Sequence, residues 1–178
     1  MKKSVLMLML GAVAATGVTG SAVAQDLTLA DDSRLIRSVT LAELEAIVAI
    51  KGDQLVSTGE NGVVSVNATT PEGLSYRMIG TVCSEEAVPS CKGIHMVVTY
   101  AVSDRVNDMV VNTASKRTFV TSVWQEEGQL GISRYLILDG GQTMENIKIN
   151  YDNFLSAVDA IVADIWPDYA EETEYEDQ

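Results

Sequence analysis

Apolar and polar positions follow two alternating rhythms along this chain, and the changes of rhythm mark its elements. Thr40-Leu41-Ala42-Glu43 has the form of a capping box, in which a hydroxyl takes an orphan amide and a carboxylate three positions on returns the bond. Leu41, Leu44, Ile47, Val48 and Ile50 then share one stripe before Gly52, which predicts a short amphipathic helix. From Gln54 the period falls to two. LVST and VVSVNAT flank Gly59-Glu60-Asn61-Gly62, where Asn-Gly signals a hairpin. Pro71-Glu72-Gly73 turns the chain into LSYRMIGTVC, and GIHMVVTYAV follows. In that last strand Ile94, Met96, Val98 and Tyr100 point to one side and His95, Val97 and Thr99 to the other, so the first set is core.

Ser103-Asp104 is placed to cap a second helix carrying Val106, Met109, Val110 and Thr113, with Lys116 and Arg117 at its end. TFVTSVWQ and GISRYLILD, parted by Glu126-Glu127-Gly128-Gln129, predict a second hairpin ending at Gly140-Gly141. The longest periodic signal follows. Met144, Ile147, Tyr151, Phe154, Val158, Ile161 and Ile165 repeat in steps of three and four, predicting a long helix closed by Pro167. The order α-β-β-β-β-α-β-β-α, with hairpin-length loops, predicts an α+β domain: an antiparallel sheet with helices packed on it.

The ends add an address. Lys2 and Lys3, an apolar stretch from Val5 to Val18, and Ala22-Val23-Ala24 match the three parts of a secretory signal peptide, with cleavage expected after Ala24. Gly11, Thr16, Gly17 and Thr19 dilute the stretch below the ~20 apolar residues of a membrane span. A periplasmic or secreted protein with no stable membrane anchor is the expectation. Losing Lys2 and Lys3 with residues 1–24 takes the formal charge from −13 to −15, which argues against nucleic acid and anionic membranes as partners. In an oxidising compartment Cys83 and Cys91 are a disulfide pair that ties the adjacent ends of two strands. DYAEETEYEDQ is acidic, without an apolar period, and is expected to be disordered.

Candidate chemistry is sparse. A single histidine, His95, excludes a multi-histidine metal site, and its place on the polar side of a strand reads as ordinary surface. The cysteines lack Cys-x-x-Cys spacing, Gly140-Gly141 lacks the surrounding signature of a phosphate loop, and the pairs Asp31-Asp32, Glu85-Glu86 and Glu126-Glu127 lack a calcium-loop pattern. Asn67-Ala68-Thr69 fits a glycosylation sequon, an accidental match in a chain with a bacterial style of signal. No catalytic residue, metal or cofactor is expected. What remains is surface: Arg77, His95, Thr99 and Tyr135 are the mixed polar and aromatic residues from which a binding face is expected.

TLAELEAIVAIKG, the paired cysteines of CSEEAVPSCKGIHMVVTY, VNTASKRTFV, and GGQTMEN before the last helix, in that order, resemble the YbjN family, described as bacterial sensory transduction regulators. The resemblance covers about residues 36–166. It implies a fold similar to type III secretion chaperones, small α+β proteins that often dimerise and bind other polypeptides, and it carries no catalytic residues. The expected organisation is a signal peptide (1–24), an N-terminal extension (25–35), one YbjN-like domain (36–167) and the acidic tail (168–178). The expected function is a non-enzymatic, chaperone-like module of envelope stress or sensory regulation, binding another protein or a homodimer partner. The alternatives are a small periplasmic enzyme with an unrecognised site and a structural envelope component.

Overall fold

The computed structural model describes residues 31–102, 106–117 and 121–166. The signal segment, the Ser103-Asp104 cap, Pro167 and the acidic tail lie outside the described residues. Within them the chain is α+β, as the sequence predicts. In order, the elements are β1 (Leu35–Ile36), α1 (Leu41–Lys51), β2 (Gln54–Thr58), β3 (Ser65–Thr69), β4 (Ser75–Cys83), β5 (Cys91–Ala101), α2 (Asp108–Arg117), β6 (Ser122–Glu126), β7 (Gln129–Ile137), β8 (Gln142–Thr143) and α3 (Met144–Ile165).

Six strands form one antiparallel sheet in the order β2-β3-β4-β5-β7-β6. Asn61 and Gly62 at one hairpin, and Glu127 and Gly128 at the other, hold positive φ, the conformation a tight turn between twisted strands requires. The helices and the sheet share one core. Met78, Ile94, Met96, Val98, Leu130 and Ile132 of the sheet are buried with Leu44 and Ile47 of α1 and Tyr151, Phe154, Val158 and Ile161 of α3. All seven residues of the long apolar repeat are buried in α3. The capping box of α1 is present in full, with Thr40 accepting from the Glu43 amide, and Gly52 closes the helix at φ +77°.

The structure differs from the sequence expectation in three places. β1 and β8 form a two-stranded sheet, too short to show a period of two. It joins residues 31–36 to the start of α3, where the Met144 and Glu145 amides donate to the Arg34 and Asp32 carbonyls; two orphan amides of the helix terminus are thereby satisfied. Second, α2 starts at Asp108, so Val106 precedes the helix. Asn107 Oδ1 takes the Met109 and Val110 amides, the capping geometry that sets this start. Third, β3 starts at Ser65: the Val63 amide donates back to the Glu60 carbonyl, and Val64 precedes the strand with its carbonyl accepting from the Gly80 amide of β4.

Candidate functional site

The two faces of the sheet differ in what covers them. On the helix side, polar groups are few and matched. Tyr76 Oη donates to Asp53 Oδ2 at 2.7 Å, and Tyr151 Oη donates to the same oxygen. The two rings meet edge to face at 5.4 Å, and the Lys51 ammonium lies 5.2 Å from the Tyr151 ring while pairing with Asp152. Burial, then the hydrogen bonds within the trio, pushes the Tyr76 hydroxyl far above the ordinary tyrosine range; burial and the bond to Asp53 push Tyr151 the same way. Both phenols stay protonated and act as donors. One carboxylate thus joins the α1–β2 junction to β4 and α3. Arg134 projects from β7 on this side, and its Nε donates to Asn150 Oδ1 of α3 at 3.1 Å; burial lowers its pKa. No sequence pattern announces these pairs, because Asp53, Tyr76 and Tyr151 are 98 residues apart at their widest and sit at ordinary core or turn positions.

The other face has no helix of the described residues on it. Register fixes its population: Asn67 pairs with Arg77 and Arg77 with Val97; Ile79 pairs with His95 and His95 with Tyr135; Thr99 pairs with Gly131 and Gly131 with Trp124. The four residues singled out from the sequence therefore share one face. Arg77, His95 and Thr99 line a trough of about 550 Å³ that runs from Val56 of β2 to Trp124 of β6. Tyr135 stands apart from it, at the end of the sheet nearer the cysteines. Its ring crosses Gly93, and Thr81 Oγ1 donates to its hydroxyl at 2.9 Å.

Strand alternation placed Val97 on this side of β5, but sequence reasoning missed the trough's other apolar contributors, Val56, Ile79 and Trp124. The alternation in SVWQE places Trp124 opposite the buried Val123, which was a usable signal. The requirement for a glycine across from it was not. A Cβ on Gly131 would lie 2.0 Å from Trp124 Cζ2, so this indole lies flat on β7 only because Gly131 has no side chain.

Electrostatically the trough is unlike the rest of the molecule. It contains Arg77 and His95, and among the described residues no aspartate or glutamate lines it. Burial lowers the His95 pKa below the ordinary histidine value, so its ring is neutral at neutral pH. Arg77 is exposed, and its one hydrogen bond among the described residues, to Ser65 Oγ, is 3.4 Å long. Such a set of groups can hold a ligand by shape, hydrogen bonds and one cation.

At the cysteine end, Cys83 and Cys91 face each other across β4 and β5 with their sulfur atoms at disulfide distance, 2.05 Å. Cys91 is fully buried and its backbone also bridges to Val39. Val82, Val88, Ile137 and Tyr135 at this end are exposed apolar or aromatic residues. A second cavity of about 590 Å³ lies where the two faces meet at the opposite end, lined by Glu72, Val98, Thr99, Asp159 and their neighbours. Among the described residues no group of three or more His, Cys, Asp or Glu side chains is placed to hold a metal, and no helix is long and apolar enough to cross a membrane. No family model, no curated protein and no solved structure matches the chain.

Proposed function

We propose that this is an exported, non-enzymatic binding module of the YbjN type, which holds a polypeptide partner on the open face of its sheet and acts in the bacterial envelope as a chaperone-like or sensory regulatory protein. One observation carries the reading. Six strands are covered by helices on one side, yet on the other they present a contiguous trough with aromatic and aliphatic walls, in which Thr99 and Gln129 make no side-chain hydrogen bond among the described residues. A sheet face with exposed apolar residues at one end is a surface that another chain can cover. The cysteine pair at bonding distance supports an oxidising compartment, in keeping with the signal-like Met1–Ala24 segment. The quoted segments from TLAELEAIVAIKG to GGQTMEN support the family likeness.

A photo-crosslinking benzoylphenylalanine placed at Thr99, on the open face, tests this against the same group at Ser156, on the exposed side of α3. Polypeptide adducts are expected from Thr99 and not from Ser156, and they should persist when His95 is replaced by alanine. Identical adduct patterns from both positions would remove the face-specific reading. Loss of adducts in a folded His95→Ala protein would show that the partner depends on that ring, against a face that holds it by many contacts. Fractionation of a C-terminally tagged chain checks the compartment.

A further inference from the structure

We propose that the trough selects an extended peptide segment bearing one carboxylate, which the Arg77 guanidinium holds. The inference rests on the open face being a polypeptide-binding surface and names what that surface prefers. Its first support is charge complementarity. The chain carries 25 acidic residues and 12 lysines and arginines, yet the trough has an arginine and no carboxylate among the residues lining it. Four other described cations are paired, Arg34 with Glu43, Lys51 with Asp152, Lys92 with Asp139 and Lys148 with Asp32, and neither Arg37 nor Lys116 lines the trough. Arg77 has no such partner among the described residues, only the long bond to Ser65. A guanidinium presents two parallel donors, the fork that a carboxylate matches bidentately.

The number of carboxylates follows from what surrounds that arginine. His95, the nearest ionisable ring in register, is neutral at neutral pH, so the trough offers one positive charge. A formal charge of −13 repels a segment with several acids, whereas a single carboxylate set against Arg77 is attracted at short range, where screening is weakest.

The length and lining suit an extended strand. Six strands at ~4.8 Å make the floor about 25 Å wide, the reach of roughly seven residues of extended chain. Thr99 and Gln129 make no side-chain hydrogen bond among the described residues, so both can serve a peptide main chain. Ile79, Val97 and Trp124 offer apolar contact to alternate side chains of such a segment.

Blocked heptapeptide pools provide the test, with the central residue Glu, Gln or Lys and the flanking positions varied over Val, Leu, Thr and Ser. Binding is read from Trp124 emission in a Trp166→Phe background, with circular dichroism as the folding control. The Glu pool should bind about tenfold more tightly than the Gln pool, one charge-assisted pair's worth of affinity. Arg77→Lys should keep the Glu preference, and Arg77→Glu should transfer it to the Lys pool. Equal binding of the three pools, no binding by any at about 1 mM, or a Glu preference that survives Arg77→Glu overturns the proposal. Binding seen only after truncation beyond Pro167, or an Arg77→Glu change that converts a dimer to a monomer in sedimentation, would instead make the acidic tail or a second copy the occupant, and the proposal fails. If the pools do not discriminate while Thr99 adducts persist, the carboxylate preference falls and the binding-face reading stands.

Discussion

The covered and open faces are built from the same six strands, often from adjacent residues, yet they treat polar groups oppositely. On the covered face Asp53 accepts from both Tyr76 and Tyr151, and Arg134 reaches Asn150. Each group gains its partner from another element, so its chemistry is spent on holding the fold together. On the open face Arg77, His95, Thr99 and Gln129 sit beside one another with few bonds among themselves. The difference teaches where mutation should be felt: as stability on one face, and as binding on the other.

The largest effect should come from crossing between faces within β5. Met96 is 2% exposed and Val97 beside it is half-buried on the open side. Met96→Ala removes core contacts and leaves a cavity, and should cost about 2–5 kcal/mol in denaturant unfolding. Val97→Ala should cost less than about 1 kcal/mol. Similar costs for the two would mean that something covers the open face in the free protein and would collapse the contrast between the faces.

Next comes the Asp53 trio. Asp53→Ala leaves two buried hydroxyls without their acceptor, each worth about 1–3 kcal/mol when unsatisfied. A loss of about 2–4 kcal/mol is expected. Adding Tyr76→Phe and Tyr151→Phe to Asp53→Ala should restore part of it, since the orphaned hydroxyls are then gone. Urea unfolding of the single, double and triple variants checks both statements, and a triple variant less stable than Asp53→Ala would show that the hydroxyls find other partners.

How much of this was legible in the sequence depends on the range of the interaction. The capping box at Thr40, the seven-residue stripe of α3 and the two positive-φ hairpins are set by neighbours a few positions apart, and pattern reading finds them. The alternation of β5 likewise placed His95 and Thr99 opposite Ile94 and Met96. Arg77 and Tyr135 were named for their residue types, and only register shows that they share a face. The trio at Asp53, the fit of Trp124 against Gly131 and the β1–β8 pair depend on which distant segments meet, so no local period encodes them. Arg134 is the sharpest case. Strand alternation puts it on the core side beside Ile132 and Leu136, and Asn150, sixteen residues away on α3, meets it there with a hydrogen-bond acceptor.

The cysteine pair lies at one end of both faces and should have an intermediate effect. Closing a nine-residue loop restricts the unfolded chain by about 2.5 kcal/mol. Val82, next to Cys83, holds φ at +52°, a left-handed value that disfavours a β-branched residue, and reduction lets it relax. The net loss on reduction should therefore be about 1–2 kcal/mol, seen as a melting shift of several degrees with the helices retained. Two free thiols in the unreduced protein would show that the bond is absent in solution.

The smallest effect belongs to the seam where the faces meet at the other end. Asp159 of α3 lines the cavity there with Glu72, and burial, then repulsion from Glu72, raises its pKa above the ordinary carboxylate value. Between pH 3.8 and that raised value the folded protein binds more protons than the unfolded chain does, so this group's contribution to stability falls as pH rises through the window. Above that window Asp159 is charged, and the costs of its burial and of its repulsion from Glu72 are fully present. Asp159→Asn should consequently stabilise the protein at pH 7, by less than about 1 kcal/mol because solvent screens a side chain this exposed. The gain should shrink as pH falls toward 3.8, where the native carboxyl is already protonated. Glu72→Gln should give the same sign, and the double variant little more than either single one, because each removes the same repulsion. Melting curves of the three variants from pH 3.5 to 7 decide the matter: a stability gain that does not vary with pH would assign the effect to packing in the seam rather than to charge.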